Sequence, residues 1–120
     1  VRKTLVRCRE HLTNGGLLFV EPWFRPDEWI PGRVHVLNAV RDGIKVCRMS
    51  HSAVRGGVSL NPCQYLVGTE DGLQHYQETH EMGLFTMQEM QEAFAAAGLE
   101  VDYDPIGLMG RGLYIGTRKE

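Results

Sequence analysis

Residues 84–120 have the sequence LFTMQEMQEAFAAAGLEVDYDPIGLMGRGLYIGTRKE, and this stretch decides the fold. Its TMQE motif, at 86–89, is a capping box, in which a threonine hydroxyl and a glutamate carboxylate bind the first backbone amides of a helix. Apolar residues then repeat at helical spacing from Met90 to Phe94. Gly98 predicts the end of this helix, because glycine readily adopts the positive φ of a helix terminus.

Two strands are predicted after this helix. Residues 99–103 and 113–117 are apolar enough to form strands, and the glycine-rich residues 104–112 between them predict a loop. Residues 84–118 are therefore expected to form one helix followed by two strands.

The start of the chain predicts an αβ unit over residues 1–22. Residues 2–12 carry apolar side chains at steps of three and four, which indicates an amphipathic helix. An Asn-Gly-Gly sequence at 14–16 ends it. The continuous apolar run at 17–20 is typical of a parallel strand that is buried on both faces.

Between these parts, residues 33–82 change to a period of two, which predicts an antiparallel meander inserted into the α/β unit. Asp-Gly pairs at 42–43 and 71–72 favour tight hairpins. Pro62 cannot donate a ladder hydrogen bond, so its strand is expected to be an edge strand or bulged there. The predicted strands are 33–40, 44–51, 58–67 and 73–82.

Composition excludes several classes of protein. With a net charge of −2 and 23% charged residues of both signs, the chain has no basic field for nucleic acid. No apolar run approaches the roughly 18 residues that a membrane helix requires. Three cysteines without CxxC spacing, Cys8, Cys47 and Cys63, indicate reduced thiols and a cytoplasmic protein.

Two segments that are distant in sequence are expected to meet at one edge of the α/β sheet, where ligands bind beyond the carboxyl ends of parallel strands. Glu21 and Trp23 follow the strand at 17–20, and Arg111 lies in the loop after the strand at 99–103. The planar guanidinium of Arg111, between two glycines, suits a phosphate. The alternative is a surface arginine in a tight turn.

The other candidates also have structural alternatives. Glu21 could accept a hydrogen bond from a substrate amine or hydroxyl, or bind nearby backbone. Trp23 could stack on a sugar or base, or pack beside the strand.

His80 is the candidate catalytic base, since it shares a strand face with Glu78 and could take a proton from an ammonium substrate. A half-buried histidine bonded across the sheet is the alternative. The five histidines show no ligand spacing with cysteine or carboxylate, so no metal site is predicted.

Several motifs together resemble one family of enzymes. They are GGLLFVEPW at 15–23, VCRMSHS at 46–52 and GRGLYIG at 110–116, with His75 and His80 between them. In combination they are similar to the S-adenosylmethionine (SAM)-dependent N,N-dimethyltransferases that act on TDP-linked amino sugars in macrolide biosynthesis.

The resemblance implies an α/β fold: the C-terminal half of a Rossmann-like class I methyltransferase sheet with the meander as an insertion. Residues 1–120 would then be a partial methyltransferase domain. No glycine-rich SAM loop follows an early strand, so the SAM site is expected to lie largely outside this chain. The resemblance also implies a nucleotide-sugar substrate, with Arg111 toward its pyrophosphate, and either an N-terminal half or a second copy as partner.

Two other functions stay open at this point. The chain could be a non-catalytic, methyltransferase-like module that dimerises or binds a partner subunit. It could also belong to a methyltransferase that acts on an oxygen or carbon of another small molecule.

Overall fold

A computed structural model describes residues 1–119. The described residues divide into two compact units: unit 1 comprises Val1–Pro26 and the residues from Phe85 on, and unit 2 comprises Asp27–Leu84. The elements, in chain order, are α1 (Arg2–Glu10), β1 (Leu17–Val20), β2 (Val34–Arg41), β3 (Ile44–His51), β4 (Ala53–Arg55), β5 (Val58–Thr69), β6 (Gly72–Gly83), α2 (Met87–Ala96), β7 (Leu99–Asp104) and β8 (Leu113–Arg118).

Unit 1 consists of two helices and a three-stranded sheet of order β1-β8-β7. Strand β8 is antiparallel to both neighbours, so β1 and β7 run in the same direction. The predicted capping box is confirmed: the amide of Glu89 donates to the Thr86 hydroxyl at 3.1 Å, and the amide of Thr86 donates to the Glu89 carboxylate at 2.8 Å.

The core of unit 1 forms around Phe94, which is fully buried in α2. Its ring stacks on Tyr114 of β8 with centroids 5.8 Å apart. Gly116 makes this packing possible, because a Cβ there would lie 2.7 Å from Phe94 Cε1. Apolar residues of both helices and of the sheet complete the cluster: Leu5, Met90, Ala93, Ala97 and Leu99.

The predicted strand at 17–20 is present, but its predicted environment is wrong. In the described chain β1 pairs only antiparallel, with β8, and it is not buried on both faces. Leu18 and Val20 pack against the core, whereas Leu17 and Phe19 are 50% and 58% exposed. A continuous apolar run does not show which face meets the core, because side chains alternate along any strand.

Unit 2 is an antiparallel sheet of five strands, which confirms the predicted meander and adds the short strand β4. Its order is β2-β3-β5-β4, with β6 on the other side of β5. The first hairpin turns at Asp42 and Gly43, both at positive φ, as predicted. The last hairpin pairs Thr69 with Gly72, so its turn lies one residue before the predicted Asp-Gly pair.

The expectation for Pro62 needs a correction. Strand β5 is central, since it pairs with β3 and β4 on one side and with β6 on the other. Its pairing with β4 ends at Leu60 and its pairing with β3 begins at Cys63, so Pro62 falls in the gap between two partners. The missing N–H therefore leaves no ladder bond unmade on that side.

The α/β class is thus confirmed, with antiparallel sheets in both units. Among residues 1–119 no helix is long and apolar enough to span a bilayer.

Candidate functional site

The two predicted segments meet at one edge of the unit 1 sheet. Because β1 and β7 run in the same direction, the residues after Val20 and those after Asp104 emerge at the same edge. The structure brings Glu21, Trp23 and Arg111 together there. The predicted convergence is therefore confirmed, and the group these residues form is called the Arg111 group below.

The guanidinium of Arg111 is held by two acceptors from the segment after β1. Nη2 donates to Oε1 of Glu21 at 2.6 Å, and Nε donates to the carbonyl of Pro22 at 3.3 Å. The side chains of Arg111 and Glu21 are 25% and 21% exposed, so this ion pair is partly shielded from water. Its electrostatic attraction therefore exceeds that of an exposed pair.

Aromatic rings pack beside the guanidinium. Its central carbon lies 5.5 Å from the ring centroid of Trp23 and 5.6 Å from that of Phe24, distances at which cation–π attraction acts. The two rings meet edge to face, with centroids 4.9 Å apart. Phe24 thus contributes a second ring to the surroundings of Arg111.

Gly112 fixes where Arg111 leaves the loop. Its φ is +86°, and a Cβ at this position would lie 2.1 Å from the Tyr103 hydroxyl oxygen. Any other residue would combine backbone strain with a clash. The glycine next to Arg111 is therefore required by the path of the chain.

The Arg111 group is chemically suited to an anion. Within residues 1–119 the hydrogen bonds of Arg111 use Nε and Nη2, which leaves Nη1 for a further acceptor. A guanidinium fixed by a carboxylate and two rings loses little conformational freedom on binding.

His80 belongs to unit 2, where it forms a hydrogen-bonded chain with Glu78 and Tyr65. Nε2 of His80 lies 2.8 Å from Oε1 of Glu78, and the Tyr65 hydroxyl donates to the same oxygen at 2.5 Å. An ionised carboxylate only accepts, so His80 donates to Glu78 through Nε2–H. The predicted neighbourhood of His80 and Glu78 is confirmed.

Arg48 extends this series of hydrogen bonds from Tyr65 to Cys63. Its Nε donates to the Tyr65 hydroxyl at 3.2 Å and its Nη2 donates to Cys63 Sγ at 3.1 Å. The pKa of Glu78 is lowered, first by the hydrogen bond from Tyr65 and then by that from His80. The same contact raises the pKa of Tyr65, and the hydrogen bond to Tyr65 raises the pKa of Arg48.

The structure also brings together a set of metal-ligating atoms that sequence spacing did not predict. Ligand atoms of Cys63, Glu78 and His80 lie within 4.8 Å of one another. Cys63 faces Glu78 across β5 and β6. Because the strand register creates this group, inspection of spacing along the chain could not find it.

No protein-family model matches the chain. Solved structures with its fold nevertheless define a class, the SAM-dependent methyltransferases. An amino pentose methyltransferase from Micromonospora echinaspora, involved in calicheamicin biosynthesis and solved with SAM bound, matches with a TM-score of 0.87 and 36% identity. DesVI from Streptomyces venezuelae matches with a TM-score of 0.90 and 36% identity. Each match covers 98% of this chain and 50% of the other.

Within that class, the curated proteins that this chain is similar to are N,N-dimethyltransferases of dTDP-linked amino sugars. One of them is the dTDP-3-amino-3,6-dideoxy-alpha-D-glucopyranose N,N-dimethyltransferase of Streptomyces fradiae, which is 39% identical over 113 residues. The match covers 93% of this chain and 44% of that enzyme. The resemblance stated from the motifs is confirmed, and the chain spans about half the length of the curated relatives it matches.

Proposed function

We propose that this chain forms the substrate-side part of a SAM-dependent methyltransferase that methylates the amine of a nucleotide-linked sugar. The observation that carries the proposal is the 39% identity to a dTDP-amino-sugar N,N-dimethyltransferase across 93% of the chain. In this proposal residues 1–120 are one partial domain, the C-terminal half of a Rossmann-like sheet with unit 2 as its insertion. The protein is cytoplasmic and acts as a dimer or with a separate N-terminal half.

The Arg111 group binds the nucleotide sugar in this proposal. Nη1 of Arg111 contacts the pyrophosphate, because its other donors are already bound by Glu21 and Pro22. Trp23 offers a ring face to the sugar or base. Glu21 serves the substrate through Arg111, since its carboxylate already accepts from the guanidinium at 2.6 Å.

His80 is the proposed proton acceptor. Methyl transfer requires an unprotonated amine, whose lone pair attacks the methyl carbon as the carbon–sulfur bond breaks. The methylated nitrogen then carries a positive charge, and its proton passes to Nδ1 of His80. Glu78 fixes the required tautomer by accepting from Nε2–H.

SAM, when bound, supplies the electrophilic methyl group of this reaction. No residue of this chain is assigned to the SAM site, because the sequence lacks a GxGxxG-type loop between a strand and a helix.

The first test is calorimetric titration of the purified protein with S-adenosylhomocysteine, after light scattering has fixed its oligomeric state. Binding would show that this chain builds a cofactor site by itself or across a dimer. If the folded protein does not bind, an N-terminal half should be supplied and methyl transfer to a dTDP-amino sugar followed by mass spectrometry. Failure of transfer with both parts present would refute the proposal.

A second candidate function is a non-catalytic dimerisation or partner module. Unit 2 favours it, because its sheet exposes many large apolar side chains, among them Val34, Val36, Val40, Ile44 and Leu73. Such a module would associate without SAM and would not methylate any acceptor.

Substrate profiling of the active protein would separate N-methylation from transfer to oxygen or carbon.

A further inference from the structure

Four side chains that can ligate a metal share one face of the unit 2 sheet. Asn61 and Cys63 lie two residues apart on β5. On β6, His80 is paired with Asn61 and Glu78 is paired with Cys63. Directly paired residues, and residues two apart on a strand, project to the same face. The four side chains therefore form a quadrilateral across two neighbouring strands.

Three of the four already lie at near-coordination distance. The ligand atoms of Cys63, Glu78 and His80 are all within 4.8 Å of one another. Ligands of a tetrahedral zinc ion, at about 2.0 to 2.3 Å from the metal, lie roughly 3.3 to 3.8 Å apart. The required contraction is small, and the side chains of His80 and Glu78 are about half exposed, at 52% and 49%, so solvent reaches the site.

The fourth side chain carries an unsatisfied oxygen. Oδ1 of Asn61 is buried and has no hydrogen-bond partner among residues 1–119. A buried carbonyl oxygen without a partner is costly unless something binds it. A cation held by the three neighbouring ligands would satisfy this atom.

Outer contacts of the kind that support metal ligands are also present. Arg48 Nη2 donates to Cys63 Sγ at 3.1 Å and so holds the sulfur in place. Tyr65 donates to the Glu78 carboxylate at 2.5 Å and orients it. Ligating sulfurs and carboxylates usually accept such hydrogen bonds from a surrounding shell.

We propose that Asn61, Cys63, Glu78 and His80 form a binding site for a divalent metal of borderline softness, most suitably Zn²⁺. Thiolate and imidazole ligands disfavour Mg²⁺ and Ca²⁺, which take oxygen ligands. Bound metal would join β5 to β6 in the middle of the sheet. This proposal concerns metal binding alone and does not rest on the methyltransferase function. A metal on Nε2 of His80 would replace the hydrogen bond from that nitrogen to Glu78, so the metal-bound form would be distinct from the metal-free form in which His80 accepts a proton.

The test is titration of the reduced, purified protein with Co²⁺, followed by displacement with Zn²⁺. Binding of about one Co²⁺ per chain should give the near-ultraviolet absorption of a cobalt–thiolate bond. Cys63→Ser should abolish this absorption. His80→Gln should weaken binding at least about tenfold, and Tyr65→Phe roughly tenfold through loss of the outer contact.

Two matched controls lie on the opposite face of the same sheet, Cys47→Ser and His75→Gln. Both should leave Co²⁺ binding unchanged. Absence of saturable binding, or loss of the cobalt–thiolate absorption in Cys47→Ser and its retention in Cys63→Ser, would overturn the proposal. If Cys63→Ser fails to fold by circular dichroism, the half-exposed positions provide the test through His80→Gln and Glu78→Gln.

Discussion

Nη2 of Arg111 lies 2.6 Å from Oε1 of Glu21, although the two residues are 90 positions apart in the chain. The contact joins the segment after β1 to the loop between β7 and β8. Both segments leave the unit 1 sheet at the same edge. A carboxylate at the end of the first strand thus sets the position of a guanidinium near the end of the chain.

Arg111→Lys is expected to raise KM for a nucleotide sugar about 10- to 100-fold, because a charge-assisted hydrogen bond of about 1.5 to 3 kcal/mol is lost. KM for SAM should change little. Steady-state kinetics of the complete enzyme with each substrate varied gives both values. The control is Arg7→Lys, because Arg7 forms an exposed ion pair with Glu10 in α1. Equal effects on both substrates would remove Arg111 from the diphosphate site.

Glu21→Gln should weaken nucleotide-sugar binding through Arg111, since the amide holds the guanidinium less firmly than the carboxylate does. We expect KM for the sugar to rise by less than in Arg111→Lys, with kcat nearly unchanged. In the double variant the two effects should not add, because the residues act as one unit. Glu100→Gln, at an exposed ion pair with Lys119, serves as control. Additive effects would mean that Glu21 contacts the substrate independently of Arg111.

His80→Gln is expected to lower kcat/KM for methyl transfer most at the pH values at which an imidazole is neutral and can accept a proton, and least at acidic pH, at which a protonated imidazole cannot. The measurement is the pH profile of kcat/KM for the wild type and the variant. His75→Gln, on the opposite face of β6, should leave the profile unchanged. A loss of the same size at every pH would indicate a structural role for His80.

Glu78→Gln tests the lowered pKa of Glu78. A carboxyl whose pKa is lower in the folded state stabilises the fold above its unfolded pKa, and this contribution is lost as the pH falls through the folded value. The wild type should therefore lose more stability than the variant between about pH 5 and about pH 3. Thermal unfolding at each pH measures the difference. Glu81→Gln, on the other face of β6, is the control, and parallel curves for all three proteins would contradict the assignment.

Gly116→Ala should destabilise unit 1 by about 1 to 3 kcal/mol, because the added methyl overlaps the ring of Phe94. Chemical denaturation gives the free energy of unfolding. The double variant with Phe94→Leu should lose less than the sum of the two single changes, since the smaller side chain makes room. Full additivity would show that Gly116 and Phe94 do not share this space.

Local signals predicted local structure well. The capping box at Thr86 and the turn at Asp42 each contain their own physical cause within a few residues, and both are present as expected. The direction of the strands was enough to predict that the segments near Glu21 and Arg111 meet. Their ion pair was not predicted, because it depends on which side-chain rotamers a particular loop permits.

Register across strands was beyond sequence reasoning. A hairpin turn that lies one residue from its predicted place changes every cross-strand pair along two twelve-residue strands. Cys63 therefore could not be placed opposite Glu78 in advance. The predicted burial of residues 17–20 was wrong for a related reason. Their composition indicates a strand, but only the packing around the strand shows which side chains are covered.

Cys63 is completely buried, whereas Cys8 and Cys47 are partly accessible. A bulky thiol-modifying reagent, much larger than a metal ion, should therefore label Cys8 and Cys47 in the folded protein and reach Cys63 only when β5 separates from its neighbours. The rate at which the third thiol becomes modified reports the local opening of unit 2. Cys63 is thus an intrinsic probe of the local opening of this sheet, and no additional cysteine has to be introduced.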